Sequence, residues 1–105
     1  MELLRGTLAL LILQTLSDGP LHGYGIASAI RQSTHDKLQV QDGVLYPALK
    51  KLEAEGLVES GWGYTDSGRE ARWYELTPKG RKRLKAERAL WEEYVHAMDL
   101  VLRKV

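Results

Sequence analysis

The residues with the most chemistry to offer lie between Gln41 and Lys51: Gln41, Asp42, Gly43, Val44, Tyr46, Pro47, Lys50 and Lys51. A glutamine amide can bond adenine in bidentate fashion, and a valine can meet a thymine methyl. Lysines meet phosphates, and such contacts position a protein on a duplex without reading its sequence. Tyr46, and Tyr24 some twenty residues earlier, can each donate a hydroxyl to a phosphate. Groups suited to bond-making chemistry are thinner. His22, His35 and His96 are scattered. Glu93 and His96 have metal-like helical spacing, but one such pair lacks the further carboxylates of a built site and is expected at the surface. Ser17, Asp18 and His22 fit a turn or cap better than a triad. Gly61-Trp62-Gly63 falls in a hairpin and is no phosphate loop. We therefore expect no enzyme, no metal and no cofactor.

Several elements must hold the Gln41–Lys51 set in place. Leu45, Ala48, Leu49 and Leu52 recur at helical spacing, so a short helix buries them and turns Tyr46, Pro47, Lys50 and Lys51 outward. Asp42 is the expected cap and Gly56 the expected stop. Pro47 then falls in the second turn and cannot donate to the Gly43 carbonyl. Either the helix begins nearer Leu45 or its first turn is distorted. A helix over about Leu3–Leu16 is apolar nearly all round, so one face should meet the core and the other a second subunit or the last helix. Ser17–Pro20 is a turn cluster. A second helix is expected from about His22 to Ser33. Gly23 and Gly25 weaken its first turn, which suggests close backbone packing. Leu38–Val40 suggests a short strand or an extended link.

Past the central helix, Leu57–Tyr64 and Ala71–Thr77 form a predicted hairpin around a Thr65–Gly68 turn. Arg69 and Arg72 lie near its tip. They suit phosphate contact, with solvated strand-edge charges as the alternative. Thr77 and Pro78 are N-cap and first residue of a last helix reaching about Lys104. On it Leu84, Trp91, Met98 and Val105 repeat every seven residues. Tyr94 and Val101 fill the seam, and Val95 and Leu102 widen it. Glu87 interrupts the heptad, yet the pattern argues for helix pairing. Leu8, Leu84, Trp91, Tyr94, Val95, Met98, Val101 and Leu102 are the candidate dimer residues.

The 105 residues suggest one folded unit. Net charge is only +1, but residues 69–88 carry eight basic and three acidic groups, while residues 1–60 carry five basic and seven acidic. Positive charge thus gathers at the hairpin and the start of the last helix, as suits a polyanion. The absence of cysteine fits a reducing compartment. The apolar run Leu8–Leu13 is too short to span a bilayer, and its flanks do not match a signal peptide. A cytoplasmic chain without membrane contact is expected.

With these residues in place, the sequence resembles the PadR family of bacterial transcription regulators. The resemblance rests on L-R-G-T-L-A-L-L-I-L at 4–13, L-H-G-Y-G-I at 21–26, G-V-L-Y-P-A-L-K-K-L-E-A-E-G-L-V at 43–58 and R-W-Y-E-L-T-P-K-G at 72–80. The single last helix is similar to that of the family's compact subgroup. The resemblance implies a mainly α winged helix-turn-helix with a small β-hairpin over residues 1–77 and a C-terminal dimerisation helix over 78–105. It implies a homodimeric repressor on an inverted repeat of double-stranded DNA, commonly released by a small effector. Trp91 sits where the family's drug-sensing members hold flat aromatic ligands; core packing of a dimer is its alternative role. The rival class is a winged-helix module that binds protein and ignores DNA sequence.

Overall fold

The computed structural model describes the backbone of residues 2–103 and the side chains of residues 7–103. The heptad position Val105 lies outside the described residues. The element order is α1 (Glu2–Thr15), a 3-10 turn (Leu16–Asp18), β1 (Leu21–His22), α2 (Gly23–Ser33), α3 (Asp42–Ala54), β2 (Val58–Tyr64), β3 (Glu70–Leu76) and α4 (Pro78–Leu102). Three helices and a three-stranded antiparallel sheet enclose one core, and α4 extends from it, giving overall dimensions of 55 × 29 × 22 Å.

Helix α3 contributes the face its periodicity predicts. Leu8, Ile12, Leu13 and Leu16 come from the α1 end, Ile26 and Ile30 from α2, and Leu45, Leu49 and Leu52 from α3. Leu57, Val58, Tyr74, Leu76 and Leu84 close the core from the sheet side and α4. Helix α1 touches α2, α3 and α4, which explains its nearly continuous apolar surface. Leu38 and Val40 pack on the core edge without forming a strand, so the extended link is the correct alternative.

The sheet has one more strand than the expected hairpin. Leu21 and His22 pair with Tyr74 and Trp73, so the order is β1-β3-β2. Two residues carry no readable alternation, which is why sequence periodicity misses this strand. Gly61 and Gly63 alternate with Trp62 along β2, opposite Trp73 and Ala71 respectively. A Cβ on Gly63 would lie 2.8 Å from the Trp73 ring, so this glycine makes room for a cross-strand tryptophan.

Thr77 fixes where α4 begins. Its hydroxyl donates to the Gly56 carbonyl at 2.7 Å and accepts from the Gly80 N–H at 2.9 Å. Gly56, at φ +76°, ends the turn after α3, in a left-handed conformation that suits glycine. Lys79 donates to the Glu55 carbonyl at 2.8 Å. Gly80 is buried against the Leu57 backbone, with no room for a Cβ. Only the beginning of α4 joins the core. From Arg88 to Arg103 every residue except the half-buried Asp99 is exposed.

Candidate nucleic-acid interface

Helix α3 starts at Asp42 and runs without interruption through Pro47 to Ala54. Two expectations are corrected. The N-cap is Gln41, not Asp42: Gln41 has extended backbone, and its carbonyl accepts from the N–H groups of Val44 and Leu45, both at 2.9 Å. Its side chain makes no cap hydrogen bond and stays exposed. Asp42 instead occupies the first turn, where the positive end of the helix dipole favours a carboxylate. Nor does the helix begin nearer Leu45. Pro47 is exposed, and the carbonyl it fails to serve belongs to exposed Gly43, where solvent or a bound partner can satisfy it.

Opposite the buried Leu45, Leu49 and Leu52 runs a stripe at i, i+4, i+7 and i+11: Gly43, Pro47, Lys50 and Ala54, all exposed. Three of the four are small or compact, so this face is low in relief. Gly43 has no structural need to be glycine. A Cβ there would meet nothing within 4 Å, and its backbone lies outside the left-handed region. A Gly43→Ala change should therefore raise stability by about 0.5 kcal/mol through lower unfolded-state entropy. If the stripe meets a duplex closely, the same change should weaken DNA affinity severalfold. Paired thermal melts and binding titrations check this, and stability and affinity rising together would move the contact off Gly43.

The other candidates sit around this stripe. Lys50, Lys51 and the wing residue Arg69 are exposed and form no ion pair among the described residues. Tyr46 leans on α2: a Cβ at Gly23 would stand 2.5 Å from its hydroxyl oxygen. This is the close packing that the glycines of α2 suggest. Tyr24 is exposed beside His22, with ring centroids 6.3 Å apart. Tyr24, Tyr46, Arg69 and Arg72 line an open groove of about 650 Å³ between the start of α2, α3 and the hairpin. Val44 is half-buried against the core, unlike exposed Gly43, and with Gly43, Pro47 and Lys51 it lines a second groove, toward α1 and α4. Its place on the wheel, one residue before Leu45, turns it away from the outward stripe.

Arg72 is not a free wing cation. Its Nε donates to Ser60 Oγ at 2.8 Å, and Ser60 Oγ donates to Glu53 Oε2 at 2.5 Å. Arg72 Nη2 lies 3.8 Å from the same carboxylate oxygen, and its guanidinium stands 5.5 Å from the Trp62 ring centre. Burial raises the Tyr74 phenol above its ordinary value of 10.0; nearby Arg72 pulls it down, and Glu53 adds to the rise. Other members of the basic cluster are also engaged. Arg81 reaches the Ser17 carbonyl at 3.4 Å, Arg83 reaches Glu55 at 4.0 Å, and Arg88 reaches Glu92 at 3.9 Å. The +5 over residues 69–88 thus overstates the charge left for a partner.

Sequence reasoning missed Glu53, Ser60 and Trp62, because pairing across helix and sheet leaves no local pattern. His22 was legible as a turn residue. Its Nδ1 accepts from the Gly25 N–H at 3.0 Å and caps α2, while its ring meets Trp73 edge-on at 4.9 Å. Glu93 and His96 are exposed, and no group of three metal-ligating residues occurs among the described residues. No described helix is long and apolar enough to cross a membrane. Of the candidate dimer residues, Leu8 and Leu84 are buried in the protomer's own core. Trp91, Tyr94, Val95, Met98, Val101 and Leu102 are exposed on α4.

Two adjoining helices, the second with an outward low-relief stripe bearing Lys50, and a hairpin beside it define a winged helix-turn-helix. Residues 12–86 match the transcriptional regulator PadR-like family, and the chain belongs to that family, whose members are regulators and not enzymes. It is 36% identical over 92 residues to a transcriptional regulator of Mycobacterium tuberculosis, covering 88% of this chain and 82% of that one. Among solved structures, a transcriptional regulator from Clostridium thermocellum superposes with a TM-score of 0.82 at 29% identity, covering 99% and 97% of the two chains. A PadR family regulator from Eggerthella lenta does so with a TM-score of 0.83 at 28% identity, covering 99% and 88%.

Proposed function

We propose that this chain is a homodimeric repressor that reads an inverted repeat of double-stranded DNA in the cytoplasm. The observation that carries the reading is the α3 stripe: a helix face of low relief, bearing Lys50, which is without an ion pair among the described residues, and flanked by Lys51, with a tyrosine-lined groove and a wing beside it. In a helix-turn-helix the second helix enters the major groove with its N-terminal residues at the base edges. Gln41, Asp42, Gly43 and Tyr46 are then the base-proximal set, with Val44 at its flank. Pro47, Lys50 and Lys51 follow the backbone, and Tyr24 and Arg69 reach the phosphates on either side. Arg72 faces the same groove but is restrained by Glu53.

The exposed apolar face of α4 supports dimerisation over residues 78–105. Contiguous exposed apolar surface marks an interaction site, and an inverted repeat matches a two-fold dimer. Trp91 lies 6.0 Å from Tyr94, ring to ring. Such a pair repeated across a two-fold could close on a flat aromatic effector that releases the repressor, and fluorescence titration of Trp91 with planar aromatic compounds tests that step.

Selection of bound duplexes from a random pool, at near-physiological salt, tests the main reading. Enrichment of an inverted repeat supports it. No enrichment by a folded, dimeric protein would favour the protein-binding alternative. A Lys50→Ala change should weaken binding to every duplex alike and reduce the slope of log affinity against log salt by about 0.9 per protomer, about 1.8 for the dimer. An unchanged slope would take Lys50 off the phosphate.

A further inference from the structure

The link between Glu53, Ser60 and Arg72 joins two elements that a winged DNA reader must hold in register. Glu53 lies near the end of α3, on the flank between the buried leucines and the outward stripe. Ser60 belongs to β2 and Arg72 to β3. The guanidinium donates to the hydroxyl, the hydroxyl donates to the carboxylate, and both bonds are short. Donors and acceptors are thus aligned in one direction from cation to anion, an arrangement in which each bond strengthens the next. The two charged side chains are about two-fifths exposed, so the pair adds little to overall stability. Its consequence is geometric and electrostatic.

We propose that Glu53 is a positioning and specificity-determining residue of the DNA interface: through Ser60 it fixes the wing against α3, and it withholds the Arg72 charge from the duplex. The proposal rests on the DNA-binding reading above. A free Arg72 at the wing would attract any phosphate backbone, whatever the sequence, because such contacts carry no sequence information. Tying it to Glu53 lowers affinity for random DNA and keeps affinity for the matched site dependent on α3. The Trp62 ring, 5.5 Å from the guanidinium carbon, adds a cation–π contact to the same arginine.

Glu53→Gln tests both halves. The neutral amide is a weaker acceptor for Ser60 than the carboxylate and no longer pairs with Arg72, so both parts of the link weaken while the size of the residue is kept. Affinity for random duplex should rise, with a salt slope steeper by about 0.9 per protomer bound, the value for one added phosphate contact each. The preference for the selected site over random DNA should fall about tenfold, the scale of one discriminating contact. Arg72→Gln in the Glu53→Gln background should remove the added slope. Without DNA, residual dipolar couplings of amides 60–72 should show the wing reoriented or averaged relative to α3.

Glu53→Gln protein with the parent's melting temperature, couplings, salt slope and site preference would overturn the proposal. A fall in site preference with unchanged couplings and unchanged slope would overturn it too, since Glu53 would then act by direct contact. If Glu53→Gln does not fold, Ser60→Ala breaks the hydroxyl bridge while leaving the 3.8 Å pair, and must show the same change in the couplings and in site preference. Failure of the parent protein to prefer any duplex would overturn the DNA reading instead. The couplings, measured without DNA, would still sustain or overturn the strut.

Discussion

Gly80→Ala is expected to lower stability by about 2–3 kcal/mol, at the upper end of what a single added methyl does in a packed site. The added Cβ would meet the Leu57 carbonyl oxygen and carbon, which are backbone, and the Leu76 side chain. Backbone cannot rotate aside as a side-chain tip can. The same carbonyl accepts from the Thr77 N–H at 3.2 Å, and Thr77 is bonded to both Gly56 and Gly80. Moving α4 outward to admit the methyl would therefore strain three hydrogen bonds and lift Leu84 from the core. At about 4–8 °C per kcal/mol for a domain near this size, the melting temperature should drop by about 10–20 °C. Gly61→Ala is the control, since its Cβ would meet nothing within 4 Å. The two should be melted at one protein concentration, because the proposed dimer would make the midpoint concentration-dependent. A Gly80→Ala protein melting with its control would show that the start of α4 can shift freely.

The helices were legible because their apolar periodicity is strong: the α3 leucines lie on the buried side, and Thr77-Pro78 begins α4 where cap chemistry requires. The turn at 65–68 and the paired runs around it were likewise local signals. The family resemblance in the motifs from Leu4 to Gly80 agrees with the family match over residues 12–86. What escaped the sequence was each feature made by residues far apart in the chain. Strand β1 exists because Leu21 and His22 meet Tyr74 and Trp73, and its two residues have no pattern of their own. The restraint on Arg72 needs Glu53 and Ser60, nineteen and twelve positions away; an arginine at a hairpin tip looks free until the helix beside it is placed. The N-cap moved from Asp42 to Gln41 because the extended residue, not the better capping side chain, marks where the helix starts. Leu8 and Leu84 fit an intersubunit seam by type, yet the protomer's own core buries them.

Tyr94→Asp is expected to have the largest effect on function while leaving the protomer fold intact. Tyr94 is 54% exposed, midway along the part of α4 that lies beyond the core. A carboxylate there disturbs no described intraprotomer packing except the tilted contact with Trp91. In a dimer built on Trp91, Tyr94, Met98 and Val101, however, it would place an unpaired charge on each side of a dry seam, and an uncompensated buried charge is strongly destabilising. Sedimentation equilibrium at micromolar concentration should then report a monomer with the circular dichroism of the parent helices. Linked half-sites raise overall affinity by about 10²–10⁴ over a single module. The monomer should lose a factor in that range on an inverted repeat and almost nothing on an isolated half-site. Random-duplex binding should also weaken less than operator binding, because α3 and its lysines are untouched. A variant that stays dimeric would move the interface to another face, such as the groove between α1, α3 and α4. A variant that becomes monomeric yet keeps full operator affinity would remove the inverted-repeat reading and leave a protein that docks one half-site at a time.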